Sequence, residues 1–505
     1  MPPTAAAARV HSAARAAASA FAALSLMAAA APGLAAQQTP LPRGVAELIE
    51  RAPHDRAHWG IAVSDAATGE TLVGHNADRL FIPASNTKLV VAAAAAHYLD
   101  PDFRYTTTLE STGEIVDGVL RGDLVLRGTG DPTISGRYAD DMLDIPDALA
   151  DSLHARGIRR IEGAVVADES HWDGDYVRPD WEGYDLLWWY AAPVSALGFN
   201  DNAIDFTIAP GSAGGPATIT WRPQTDFFAF VNRTTTTPPG TRSTLDFTRI
   251  AGTDTIIAYG NIAADASRHT EYFAVDDPAR YAGTVLREAL ERAGIAVADR
   301  TVRVVRGRSP IMGDRRDVEA ARHTVLAAHR SVPLPRLIAP VLQTSQNWFA
   351  EQLLKTIGRE TAGEGSWSSG LDAERRFLID IVGVDSTAFR LRDASGLSSG
   401  NLLTPAALVR ILAYMDRTPR MAPARAALPV SGGRTGSLRL RLEDLAGRVA
   451  GKTGSINNVD SLSGYLTADS GRMLIFAIVA NNSGQSSSSM RPVLDDIVRV
   501  LADTY

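Results

Sequence analysis

Apolar positions repeat with two different periods, and the switch between them divides the chain into three stretches. In the first, Trp59 to Val63 and Thr71 to Val73 alternate around the turn residues Asp65 to Gly69, which predicts a hairpin. A helix of about 14 residues is predicted next, from Ser85 towards Tyr98, through an alanine-rich run free of Gly and Pro. From Tyr105 to about Val275 the pattern becomes short β-type runs punctuated by Gly, Pro and Thr, as in TTTLESTGEIVDGVLRGDLVLRGTGDP. Helical spacing returns in DPARYAGTVLREALERAG, with start signals at Asp277-Pro278 and a stop at Gly294. It continues in two helical stretches around Thr344 and Ser345 and in TPAALVRILAYMDR. Near the end GYLTADSGRMLIFAIVAN predicts a hairpin with a buried second strand, and MRPVLDDIVRVLADT a terminal helix. This order predicts an α+β protein. Residues 37–104 plus about 275–505 form one mixed domain, interrupted over about 105–275 by a β-rich insertion with room for two subdomains.

Composition narrows the setting. Arg9 and Arg15 precede the apolar run Ala16 to Ala31, and Gly33, Ala35 and Ala36 offer a cleavage site, so residues 1–36 read as an export signal. No later stretch reaches the roughly 20 apolar residues of a spanning helix, so the mature chain is expected to carry no transmembrane anchor. There is no cysteine, hence no disulfide framework and no thiolate metal site. A net charge of −7 with no basic run gives nucleic acid nothing to bind, and no nucleic-acid partner is expected.

Lysine is scarce. Of 50 Lys and Arg residues only Lys88, Lys355 and Lys452 are lysines. Arginine stays protonated in proteins whereas a lysine amine can be tuned into a base, so lysine is expected where arginine fails. Two of the three fall in short patterns of chemical interest: Ser85-Asn86-Thr87-Lys88, Ser345-Gln346-Asn347 and Lys452-Thr453-Gly454. Chance placement of both would occur roughly 1 time in 400 if lysines were scattered over the basic positions.

Ser85 stands where a helix-capping hydroxyl would, and a capping box would put Glu or Gln at position 88. Lys88 instead meets the positive end of the helix dipole, which disfavours its ammonium form. One turn from Ser85, it is placed to take the hydroxyl proton if burial and nearby positive charge lower its pKa. Lys452-Thr453-Gly454 does not complete a phosphate loop, because the position of the first glycine is Ala446. As a strand edge beside Ser85 it could pair with an extended peptide, Gly454 allowing close backbone approach. His54 and His58 have the spacing of a zinc pair but lack a glutamate between them and a third ligand, so no metal is expected. The aromatics of Trp181 to Tyr190 are read as packing in preference to sugar stacking.

S-x-x-K, S-x-N and K-T-G in this order resemble the signature of the penicillin-recognising serine enzymes. Ser85 to Ser345 spans 260 residues and Ser345 to Lys452 spans 107, and further segments are LVLRGTGDPTIS, VVADESHWDG, YAAPVSALGFNDN and DASGLSSGNLLTP. With these the chain is similar to the D-alanyl-D-alanine carboxypeptidase/endopeptidase family, soluble low-molecular-mass penicillin-binding proteins with a large insertion after the nucleophile. The resemblance implies a β-lactamase/transpeptidase-like domain, an antiparallel sheet flanked by helices, carrying the β-rich insert. It implies Ser85 as acylated nucleophile, Lys88 as general base and Ser345 as proton relay to the leaving amine. Asn347 would bind the substrate amide, and Lys452 would orient Ser345 and, with Thr453, draw in the terminal carboxylate. The backbone N–H groups of Ser85 and Ser455 would form the oxyanion hole. Thr129 and Ala394 stand where the family often has glycine. Expected partners are peptidoglycan stem peptides ending in D-Ala-D-Ala, with β-lactams as inhibitors and no cofactor, in an exported, periplasmic setting. A β-lactamase or esterase of the same group, or a non-catalytic peptidoglycan-binding protein, are the alternatives.

Overall fold

A computed structural model describes residues 39–308 and 323–505; the expected export signal at 1–36 lies outside them. The two predicted hairpins join into one five-stranded antiparallel sheet. Its order is Val449–Ile456, Val459–Thr467, Met473–Asn481, His58–Asp65, Thr71–His75. The two ends of the chain meet where His58–Asp65 pairs along its length with Met473–Asn481, Ala62 opposite Ala477. Strand periodicity explains why MLIFAIVAN is apolar throughout. Ile475, Ala477 and Val479 face one core, and Leu474, Phe476, Ile478 and Ala480 face another. The first core holds the helices Lys88–Tyr98, Leu334–Gln343, Asn347–Ala362 and Pro405–Arg417. The second holds the terminal helix Ser487–Thr504 and Arg43–Ile49. Both faces of the sheet are therefore covered.

The helix expected from Ser85 starts differently. A tight 3-10 turn, Ala84–Thr87, leads into an α-helix that begins only at Lys88. Ser85 does not cap it, and no capping side chain is bonded at this start. Ala92 to Ala95 are wholly buried, so the alanine run lets this helix lie at the centre of a helical cluster.

The inserted segment builds a seven-stranded sheet ordered Thr324–Arg330, Thr106–Ser111, Leu124–Arg127, Arg160–Asp168, Val119–Leu120, Ile115–Val116, with Ala296–Val305 added parallel to Arg160–Asp168. Two three-stranded sheets follow from residues 203–274. The change of texture near 275 does not end this segment. The helix Pro278–Arg292 packs Val285, Leu286 and Leu290 into the core that holds Leu126 and Val165, and Ala296–Val305 and Thr324–Arg330 join its sheet. Its entry and exit lie side by side: Tyr105 N–H donates to Ser331 Oγ at 2.9 Å, and Ser331 N–H to Tyr105 O at 3.1 Å. The boundary near 275 is thus moved to near 331. An amphipathic helix looks the same whichever sheet it covers.

Candidate active site

Ser85 lies in the 3-10 turn directly after Ala84, whose φ of 47° is in the left-handed region that non-glycine residues rarely occupy. The strain has a visible neighbour. A Cβ added to Gly396 would fall 1.9 Å from Ala84 O and 3.0 Å from Ser85 N, so only glycine lets the 393–401 turn press this close. From the first α turn Lys88 Nζ donates to Ser85 Oγ at 2.9 Å, to Asn347 Oδ1 at 2.6 Å and to Ser395 O at 2.5 Å.

All three lysines are 0 % exposed. Burial lowers Lys88 to about 7, while the Asp393 and Glu351 carboxylates oppose the shift. The charges that bear on Lys88 are these two carboxylates, and not the positive charge expected to help. Lys452 Nζ donates to Ser345 Oγ at 2.8 Å and to Thr453 O at 2.7 Å. Burial, with Lys88 beside it, holds Lys452 well below the ordinary lysine range.

Ser345 sits at the break between the helices Leu334–Gln343 and Asn347–Ala362, with φ 60°. Val449–Ile456 is an edge strand of its sheet, and it carries Lys452, Thr453, Gly454 and Ser455 past the Ser85 turn. A Cβ on Gly454 would lie 2.4 Å from Ser461 Oγ and 2.9 Å from both Pro83 O and Ser85 N. Here glycine is required by contact. Thr453 Oγ1 donates to Ser437 Oγ at 2.8 Å, and Ser455 Oγ to Asp460 Oδ1 at 2.7 Å.

The sequence-predicted residues Ser85, Lys88, Ser345, Asn347, Lys452, Thr453, Gly454 and Ser455 thus come together from three places in the chain. Asn347 is bonded at both ends of its amide, Oδ1 accepting from Lys88 Nζ and Nδ2 donating to Tyr190 O at 2.7 Å, so beside the expected contact to a substrate amide it steadies the amine. The Trp181 to Tyr190 cluster packs, as read: Trp181 is buried and its Nε1 donates to Asp393 at 2.9 Å, and Trp188 meets Phe247 and Phe273 edge-on. His54 lies in a 3-10 turn and His58 at a strand start, stacked on Phe81, which is not the single helical face of a zinc pair.

Several groups around the centre were given no role by the sequence, although Asp393 opens the quoted segment DASGLSSGNLLTP. Glu351 is wholly buried and accepts from Ala394 N–H (3.1 Å), Ser395 N–H (2.8 Å) and Trp367 Nε1–H (2.8 Å); burial raises it to about 7. Asp393 accepts from Trp181, Gly396 N–H, Ser398 N–H and Asn401. Lys355 pairs with Asp173 Oδ1 at 2.6 Å and stands 3.9 Å over the Trp367 ring. Only the rarity of lysine pointed to it.

Chemically, a buried amine lowered to about 7 and touching a half-buried hydroxyl can, once it has lost a proton, act as a base on a nucleophile. A second serine held by a second lysine gives a separate route for a proton. A glycine-bearing strand edge beside them leaves room for an extended chain.

Comparison with known proteins agrees with this geometry. Residues 41–504 match the model of the D-Ala-D-Ala carboxypeptidase 3 (S13) family. A D-alanyl-D-alanine carboxypeptidase of Actinomadura sp. (strain R39) is 35 % identical over 493 residues, covering 94 % of this chain and 87 % of that protein. The carboxypeptidase DacB of Haemophilus influenzae is 25 % identical over 448 residues, covering 86 % and 88 %. The crystal structure of penicillin binding protein 4 (dacB) from Haemophilus influenzae superposes with a TM-score of 0.76 at 23 % identity, covering 90 % of this chain and 98 % of that one. That likeness shows the transpeptidase-like fold with its insert. A family model spanning nearly all the described residues and a relative at this identity lead to one conclusion: the chain belongs to the D-Ala-D-Ala carboxypeptidase 3 (S13) family.

Proposed function

We propose that this chain is a serine D-alanyl-D-alanine carboxypeptidase, and also a DD-endopeptidase, that works on peptidoglycan stem peptides through an acyl-enzyme on Ser85. The observation that carries the reading is the contact between Lys88 Nζ and Ser85 Oγ, made by an amine lowered to about 7. Ser85 Oγ attacks the penultimate D-Ala carbonyl while its proton passes to Lys88. Backbone N–H groups of Ser85 and Ser455 receive the developing oxyanion. The C–N bond then breaks as Ser345, held by Lys452, hands its proton to the leaving amine of D-Ala and is reprotonated from Lys88, which is left neutral. Water gives a proton to Lys88 as it adds to the ester carbonyl, and Lys88 passes that proton to Ser85 Oγ as the ester C–O bond breaks. Thr453, with Lys452 behind it, takes the terminal carboxylate.

The same reading makes the chain penicillin-binding, since a β-lactam amide acylates Ser85 but leaves no free amine to depart. Residues 39–104 and 332–505 form the catalytic part, and 105–331 the insertion. The chain is exported, with its leader in residues 1–36 and a periplasmic destination. Among the described residues no helix is long and apolar enough to cross a membrane.

Intact mass after incubation with benzylpenicillin tests the assignment. The wild type should gain one adduct and Ser85→Ala none; no adduct on the wild type, or an undiminished one on the variant, overturns it. Release of D-alanine from monomeric muropeptides, and of monomers from cross-linked ones, then separates the two activities.

A further inference from the structure

Lys88 is held by three acceptors, and the shortest contact is to a backbone carbonyl, Ser395 O at 2.5 Å. That carbonyl belongs to a turn with little regular structure of its own. What fixes the turn is a carboxylate on another element: Glu351 Oε1 receives Ser395 N–H at 2.8 Å and Ala394 N–H at 3.1 Å. Glu351 is itself locked by Trp367 Nε1 at 2.8 Å, and that ring is edge-on to Trp181. One turn earlier on the same helix, Asn347 takes the Lys88 amine directly. A single helix therefore grips the base twice, once by a side chain and once through the 394–395 peptide.

We propose that Glu351 is a positioning residue for the base: by binding the Ala394 and Ser395 N–H groups it aims the Ser395 carbonyl at Lys88 and holds the amine against Ser85. Its charge also acts on Lys88 through the low-dielectric interior. Charged and titratable groups face Lys88 from three elements: Glu351 on its helix, Asp393 on the turn and Lys452 on the edge strand. Glu374, on the helix Trp367–Arg376, faces Glu351 and Asp393. Asp393 keeps four donors of its own. Glu374 has no side-chain hydrogen bond among the described residues, and burial beside two carboxylates pushes it well above the ordinary carboxylate range. Asp393 also bonds the turn and bears on the amine, but from within the turn; Glu351 does so from another element, and it is the carboxylate that holds the Ser395 peptide whose carbonyl takes the amine.

The proposal rests on Lys88 as the base, and the test separates the two. Acylation by a fluorescent penicillin is followed from pH 5 to 9 in the full chain. Glu351, itself raised to about 7, is only partly ionised where Lys88 titrates, so Glu351→Gln should move the acid limb of the rate to lower pH by roughly 0.3–0.5 unit. Its plateau should fall about 10-fold or more, because an amide presents an N–H where donors converge. Glu351→Asp keeps the charge but pulls the carboxylate back, so the plateau should fall with the limb in place. Glu374→Gln should leave the limb unmoved.

A lowered plateau in Glu351→Gln with an unmoved limb would reduce Glu351 to a structural group and overturn the proposal. So would a wild-type rate in either Glu351 variant, or a limb shift in Glu374→Gln as large as that in Glu351→Gln. Should Glu351→Gln fail to give a folded protein by its melting curve, the Asp variant decides alone. If the wild type itself takes no penicillin, the reading of Lys88 and Ser85 fails instead.

Discussion

In the proposed role Lys88 has to shed its proton, inside a pocket where Asp393 and Glu351 favour keeping it. Burial wins: with no exposed surface the ammonium loses its hydration, and the amine comes down to about 7. A base that is neutral only above its pKa gives a rate that rises with pH. Acylation by penicillin is therefore expected to climb through about pH 7 and level off, and a rate already flat from pH 5 would contradict the assignment. Arginine at the same place stays protonated. Lys88→Arg should lose about 100-fold to 10,000-fold in acylation, with the fold judged intact by its melting curve, and a rate within a few-fold of the wild type would refute the role. All three lysines are fully buried, Lys355 in an ion pair with Asp173.

At the scale of elements, what governs the centre is how closely two backbones approach. The edge strand Val449–Ile456 runs past the Ser85 turn at a distance that only Gly454 permits, and Gly396 does the same from the other side. Gly454→Ala would put a methyl against Ser461 Oγ and Ser85 N, so the strand must back away from the nucleophile. A displacement of this kind is expected to slow acylation by about 10- to 100-fold while costing little stability, since an edge strand can yield outward. Stopped-flow acylation and a melting curve check the two halves; an unchanged rate would mean the close approach does not serve the site.

How much could be read beforehand differs between such elements. The hairpins and the terminal helix were legible because their period is set by which face is buried. The 3-10 turn at Ala84 was not: its left-handed φ lies against the 393–401 turn, far along the chain, and nothing local in PASNTK announces it. Ser85, Lys88, Ser345 and Lys452 were legible as spaced side chains, and Lys355 only as a rarity. Glu351 was not, since its partners are backbone N–H groups, which have no residue type.

Over the whole molecule, the helix Asn347–Ala362 joins the catalytic centre to the inserted segment. Asn347 donates to Tyr190 O, Trp348 to Pro193 O at 3.1 Å, Gln352 to Ser195 O at 3.2 Å and Lys355 to Asp173 at 2.6 Å. Four side chains of one helix therefore bond to residues of the segment that enters at Tyr105 and leaves at Ser331. The insert is a brace on the catalytic helix and not a module on a tether. The Lys355–Asp173 pair tests this, because both charges are shielded from water and neither has a surface alternative. Lys355→Met leaves Asp173 without its cation and should cost about 3–5 kcal/mol. Adding Asp173→Asn removes the stranded charge and should restore most of that loss, a coupling measured by a double-mutant cycle in urea. A tethered insert would predict a separate unfolding transition, with the catalytic part melting as in the wild type. The braced one predicts a single transition that moves, and with it the temperature at which penicillin still acylates Ser85.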